Sequence, residues 1–147
     1  MPEKETLERA RRDKREGKAP STQAGEFVRE EMDHIREGKH GARSTKQAIA
    51  IGLSKARRAG VDLPPPEDGQ ASESTQRQAK RDLEKGQSGT KRTSAKRSRA
   101  TSRALKREGH SAASKTALSR QARSVAAKRS KASRSRSAKK AAATRKK

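Results

Sequence analysis

Residues 44–60, STKQAIAIGLSKARRAG, carry the clearest helix signals in the chain. Ser44 and Gln47 have the spacing of a capping box, in which the serine hydroxyl accepts a hydrogen bond from the Gln47 amide and the Gln47 side chain reaches back. Gly60 supplies the left-handed residue with which helices commonly end. Gly52 lies among the apolar positions and would let a second helix approach closely. We therefore predict a helix between these limits that packs on another helix.

Two further helices are predicted before this segment. Residues 3–16 are charged throughout, and Glu–Arg pairs four residues apart add only about 0.2–0.5 kcal/mol each to such a helix. Pro20 separates this helix from a second one, which begins at Ser21 or Thr22 and ends near Glu37. The second helix carries an apolar stripe at helical spacing: Ala24, Val28, Met32 and Ile35. We expect the stripe to form the contact surface of the helix pair.

Charge divides the chain into parts of different character. The whole chain carries a net charge of +23, of which residues 1–66 contribute only +4 and residues 67–88 contribute −1. Residues 89–147 hold 21 Lys and Arg and a single acid, Glu108. We predict four units along the chain: a charged N-terminal helix at 1–20, a helical head module at 21–66, a polar linker at 67–88 and a basic tail at 89–147.

Composition favours a mostly α-helical protein with a large disordered fraction. Apolar residues make up 27% of the chain, against about 45–50% in an ordinary globular domain, and Phe27 is the one aromatic residue. We predict a small helix-turn-helix-like head and a tail that is largely unfolded when alone, because it cannot bury enough apolar surface to offset its conformational entropy. Conditional helices are expected at residues 94–108 and from Ser111 or Ser114 to about Lys131.

The solvated tail indicates a polyanionic partner, and nucleic acid is the first candidate because phosphates neutralised by Lys or Arg release condensed counterions. We expect DNA rather than RNA. The contacts should be to the backbone and without sequence preference, since the tail offers no base-reading element and no aromatic residue for stacking. The candidate contacts are the cations of the tail: Lys91, Arg92, Lys96, Arg97, Arg99, Arg103, Lys106, Arg107, Lys115, Arg120, Arg123, Lys128, Arg129, Lys131, Arg134, Arg136, Lys139, Lys140, Arg145, Lys146 and Lys147.

These features predict a sequence-nonspecific, histone-like DNA-binding protein of the nucleoid. Two alternatives stay open. One is an RNA-binding or ribosome-associated accessory protein, and the other is a toxin, antitoxin or regulator that binds an acidic partner. In the DNA-binding interpretation, the head would serve self-association or bind a protein partner, and the tail would bind the DNA. We expect no enzymatic activity, no small-molecule substrate, no membrane association and a cytoplasmic location.

A second candidate phosphate contact lies in the head. Lys39, His40, Arg43 and Lys46 surround the start of the predicted helix at residues 44–60, where free backbone amides favour an anion. A neutral turn between two helices is the alternative interpretation.

A metal centre is not expected. The chain has no cysteine, and the histidines His34, His40 and His110 are few and widely spaced. Glu30 has Asp33 and His34 at helical spacing, but the sequence shows no second set of ligands beside them. We therefore predict no metal, no cofactor and no catalytic residue.

Residues 26–66 resemble a family of small basic bacterial proteins of unknown function. The resemblance is carried by Gly38-Lys39-His40-Gly41 and by residues 43–60, and the helix before them is similar to the usual lead-in of that family. It implies a helix–loop–helix module and a bacterial origin, but no activity. The tail separately is similar in composition to the Lys/Ala-rich arms of bacterial linker-histone-like proteins.

Overall fold

Seven α-helices and one 3₁₀ turn make up most of the part of the chain described by the structure, a computed structural model that covers residues 2–89 and 93–146. The helices are α1 (Lys4–Arg15), α2 (Pro20–Arg36), α3 (Thr45–Arg58), α4 (Glu73–Ser88), α5 (Ala95–Lys106), α6 (Lys115–Lys128) and α7 (Lys131–Arg145), and the 3₁₀ turn (Ser111–Ala113) precedes α6. The prediction of a mostly α-helical protein is confirmed.

Helices α2 and α3 form the centre of the head. Ser44 Oγ accepts from the Gln47 N–H at 3.2 Å, and Gln47 Oε1 accepts from the Arg43 N–H at 2.7 Å. The predicted cap therefore forms, but the Gln47 side chain bonds the backbone amide of Arg43 and not that of Ser44. Gly52 lies directly against the backbone of α2, since a Cβ added there would stand 2.7 Å from Val28 Cα. The close approach of two helices at this glycine is confirmed.

Two small apolar clusters lie along the helix pair, and the predicted stripe of α2 contributes to both. The first cluster consists of Met32, Ile35, Ala42, Ala48, Ala112 and Ala113. The second, through which α1 packs on α2, consists of Ala10, Ala24, Phe27, Ala56 and Val61. Because alanine predominates, each cluster buries little apolar area, and close backbone packing takes the place of large side chains.

The polar linker carries a helix that packs on α3. Asp82 of α4 is buried and accepts hydrogen bonds from the Ser54 hydroxyl at 2.7 Å and from Arg58 Nε at 2.9 Å. Gly86 permits this packing, because a Cβ at that position would overlap the Arg57 carbonyl oxygen. A buried carboxylate thus joins α4 to α3 through charge-assisted hydrogen bonds.

The tail is helical over most of its described length, and none of the residues of α5, α6 or α7 is buried. Helices α5 and α6 lie close to the predicted ones, whereas α7 was not predicted. Ser130 begins this helix, since its hydroxyl accepts a hydrogen bond from the Ser133 N–H at 3.1 Å and caps α7. The alanines of α7 add to its helix propensity.

We expect two Gly-to-Ala substitutions to act in opposite directions. Gly25 is an exposed residue of α2 with nothing within 4 Å of an added Cβ, so Gly25→Ala should raise the free energy of unfolding by about 0.5–1 kcal/mol. Gly52→Ala gains the same helix propensity but forces α3 away from Val28, which costs about 1–3 kcal/mol. Urea unfolding followed by circular dichroism measures both changes. Equal stabilisation by the two variants would contradict the close contact.

Candidate nucleic-acid interface

The basic side chains of the tail are exposed. Lys91, Arg92 and Lys147 lie outside the described residues, and the remaining 18 predicted contacts are all exposed to solvent. Among residues 93–146, none of the Lys or Arg side chains forms an ion pair with a carboxylate, which agrees with the presence of a single acid, the half-buried Glu108. The structure thus keeps the predicted tail cations available to an external anion.

The cations of α7 do not lie on one face. At 100° per residue, Lys131, Arg134, Arg136, Lys139 and Lys140 are spread around the helix circumference. A helix that reads base edges places a few side chains toward one groove. This even distribution suits contacts with phosphates on more than one side and provides no defined reading face.

Several cations of residues 1–66, in contrast, are paired with neighbouring acids. Arg9 Nε lies 2.6 Å from Glu26 Oε2, and Lys18 Nζ lies 2.7 Å from Asp13 Oδ1. The hydrogen bond from Lys18 to Asp13 raises the pKa of the lysine. Arg57 is a different case, because it donates to backbone carbonyls and burial lowers the pKa of its guanidinium. Six of the 15 Lys and Arg of residues 1–66 thus pair with a carboxylate, whereas the exposed cations of α1 have no ion pair in the described residues.

The four candidate contacts in the head separate into two pairs. Lys39 Nζ lies 3.0 Å from a carboxylate oxygen of Glu37, and bonds to Glu37 and Glu3 raise its pKa. His40 is turned inward, whereas Arg43 and Lys46 are exposed at the start of α3. Only this second pair is free of carboxylate partners among the described residues.

A segment of the tail is fixed to the head, which the sequence did not indicate. We call residues 105–118 the strap. Its alanine pair Ala112–Ala113 enters the first apolar cluster, and Leu118 packs beside it. Four hydrogen bonds hold it: Gly41 N–H to the Leu105 carbonyl (2.9 Å), Ala42 N–H to the Gly109 carbonyl (3.0 Å), Thr45 Oγ1 to the Ala112 carbonyl (2.7 Å) and Arg36 Nε to the Ala113 carbonyl (3.0 Å). The basic helices α5 and α6 therefore leave the head from a fixed point.

One signal for the strap was present in the sequence. Residues 109–114, GHSAAS, are the longest stretch after residue 95 that carries neither Lys, Arg nor an acid. Contact with the strap also requires a glycine at position 41, because a Cβ there would overlap the Glu108 carbonyl oxygen. The stretch around Gly41, which the sequence offered as a phosphate contact or a plain turn, is the surface on which the strap lies.

The structure also corrects the expectation about the histidines. Glu31, His34 and His40 each place one candidate ligand atom within 4.8 Å of the others. The expectation that the three histidines are too scattered to form a cluster is wrong for two of them. The acid in this group is Glu31, and not Glu30, the residue that has Asp33 and His34 at helical spacing. His110 lies outside the group.

Residues 4–67 match a family of unknown function, DUF6496. This region includes the 26–66 stretch for which the sequence resembled an uncharacterised family, and it ends before α4 and the basic tail. Neither the curated proteins nor the solved structures include a match to this chain. Within the described residues, no helix is both long and apolar enough to cross a membrane.

We expect Gly41→Ala to detach the strap, because the added Cβ overlaps the Glu108 carbonyl oxygen. Gly109→Ala is the matched control, since it lies in the same contact and has nothing within 4 Å of an added Cβ. Hydrogen exchange should show the amides of residues 105–118 losing protection in the first variant and keeping it in the second. Unchanged exchange in Gly41→Ala would show that the strap does not lie on this glycine.

Proposed function

We propose that this protein binds DNA without sequence preference, in the manner of a histone-like protein, through the phosphate backbone and with its basic tail. The observation that carries the proposal is the contrast between the two halves of the chain. The described cations of the tail are exposed and without carboxylate partners, whereas many cations of the head are paired with acids. On this proposal the protein acts in the cytoplasm, at the bacterial nucleoid.

The size of the charge favours a nucleic acid over a small acidic partner. If about ten tail cations each neutralise one phosphate, the logarithm of the binding constant should fall with the logarithm of salt concentration with a slope near −9 on duplex DNA. An acidic protein surface would rarely offer so many anions in a row. The lack of an aromatic residue in the tail removes the stacking contacts by which proteins hold single strands.

We further propose that the order of the tail depends on its ligand. Outside the strap, helices α5, α6 and α7 rest on helix propensity and on caps such as Ser130, which accepts from the Ser133 N–H at 3.1 Å, because none of their residues is buried. Repulsion between neighbouring cations opposes them in the free chain. Neutralisation by phosphates removes that repulsion, which would couple helix formation to binding in a tail that is otherwise largely unfolded.

The head serves on this proposal as an anchor for the tail. Through the strap it fixes the point at which α5 and α6 leave, and its paired charges contribute little to binding themselves. Arg43 and Lys46 lie exposed at the N-terminus of α3, where a phosphate would be favoured. These two residues would add a contact to DNA already held by the tail.

Two charge-matched variants test the proposal. The first replaces five α7 cations by Gln: Arg134, Arg136, Lys139, Lys140 and Arg145. The control replaces five exposed α1 cations that have no ion pair in the described residues: Lys4, Arg11, Arg12, Lys14 and Arg15. Both lose the same charge. Fluorescence anisotropy with a short duplex between about 50 and 200 mM salt should show the slope reduced by up to about 4.5 for the α7 variant and nearly unchanged for the control.

The outcomes are distinct. Equal reductions in the two variants would mean that total charge, and not the tail, governs binding. Unaltered affinity in the α7 variant would contradict the proposal directly. Competition with RNA of the same length decides the remaining alternative, since an RNA-binding or ribosome-associated protein should prefer the RNA, whereas the proposal expects duplex DNA to compete better.

A further inference from the structure

A cluster of metal-ligating side chains lies in the head, away from the basic tail. Glu31 and His34 are three residues apart on α2, so they share a face of that helix. After α2 ends, Gly38 adopts a φ of +76° and turns the chain, which brings His40 back over the helix. The two imidazole centroids are 6.1 Å apart with the rings nearly perpendicular, and the candidate ligand atoms of all three residues lie within 4.8 Å of one another.

The carboxylate in this cluster is buried and incompletely bonded. The side chain of Glu31 has no exposed surface. Its Oε1 accepts a hydrogen bond from the Lys55 ammonium, but its Oε2 has no hydrogen bond of acceptable geometry. His40 Nε2 lies 3.1 Å from Oε2. Buried carboxylate oxygens nearly always have a partner, so this one calls for a cation or a proton.

The hydrogen bond of His40 determines which kind of group can lie between its ring and Glu31. His40 Nδ1 lies 3.0 Å from the Gly41 carbonyl oxygen, which can only accept, so Nδ1 carries a hydrogen. In the neutral ring, Nε2 therefore presents a lone pair toward the lone pairs of Glu31 Oε2. Two acceptors facing each other at 3.1 Å repel unless a positive species lies between them. A metal ion would accept both lone pairs.

Both histidines are also held as metal ligands usually are. A ligating imidazole donates a hydrogen bond from its second ring nitrogen to a carbonyl or a carboxylate, which fixes the orientation of the ring. The Gly41 carbonyl does this for His40, and a carboxylate oxygen of Glu3 lies 2.9 Å from Nε2 of His34.

We propose that Glu31, His34 and His40 bind one divalent transition-metal ion of the zinc class. Two imidazoles and one carboxylate are a ligand set that zinc uses, with water in the fourth position, and imidazole disfavours magnesium and calcium. Tetrahedral zinc with ligands at about 2.0–2.2 Å separates its ligand atoms by about 3.4 Å. The separation of 3.1 Å between Glu31 Oε2 and His40 Nε2 is already close to that value.

Such an ion would join the loop at residues 38–43 to α2. That loop carries Gly41 and Ala42, whose amides hold the strap, so metal binding would stabilise the surface on which the tail is anchored. Beside the site, Lys39 pairs with the carboxylate of Glu3, and Lys55 pairs with the Oε1 of Glu31, which leaves Oε2 for the ion.

The wild-type chain, purified without a histidine tag and stripped of metal, gives the first test. One equivalent of Zn²⁺ should shift the imidazole nitrogen resonances of His34 and His40 and leave those of His110 in place. Co²⁺ should give a visible spectrum of tetrahedral intensity at one equivalent. Resonances that do not respond, or that respond equally in all three histidines, would overturn the proposal, as would a finding that His40 is simply a stable imidazolium.

Variants provide the second test. His34→Gln and His40→Gln should each weaken Zn²⁺ binding by more than about 100-fold, beyond the 10–100-fold typical of residues outside the ligand set. His110→Gln is the matched control and should bind Zn²⁺ as the parent does. Circular dichroism of the metal-free variants checks that they fold. Parental affinity in the two ligand variants, or an equal loss in the control, would show that the ion binds elsewhere.

Discussion

The contact of α3 with α2 at Gly52 and Val28 is the constraint on which the rest of the structure depends. With a side chain at position 52 the two backbones could not approach this closely. The contact sets the separation at which small alanine-rich clusters can close on either side of the helix pair. It also brings Lys55 of α3 to Glu31 of α2. A chain with so few large apolar residues has no other means of forming a packed head, because alanine fills space only between closely spaced backbones.

The distribution of acids determines what the protein can bind. Residues 2–89 hold 16 of the 17 acids, several of them buried, and several of these acids neutralise or position neighbouring cations. Asp13, Glu31 and Asp82 each bond a lysine or an arginine from another part of the chain. Buried pairs of this kind contribute more to a defined arrangement than to net stability, because desolvation opposes the attraction between the charges. The tail has one acid, and none of its cations among residues 93–146 pairs with a carboxylate, so these cations stay available to an external anion.

The sequence predicted the local features of the head and missed those that depend on distant residues. The cap at Ser44, the glycine at position 52 and the apolar stripe of α2 follow from patterns within a few residues, and the structure bears them out. The strap could not be found in this way, because Thr45 bonds the carbonyl of Ala112, 67 positions along the chain. The cluster of Glu31, His34 and His40 depends on how Gly38 turns the chain, which periodicity does not encode.

Hydrogen exchange of the intact chain, with and without duplex DNA, tests the central claim most directly. The claim is that a folded head anchors a tail whose cations bind a polyanion. DNA should add protection to the amides of α5, α6 and α7 that lie outside the strap, and it should leave those of α1 to α4 and of the strap nearly unchanged. Protection gained in the head while the tail stays unchanged, under conditions in which DNA is bound, would contradict the account.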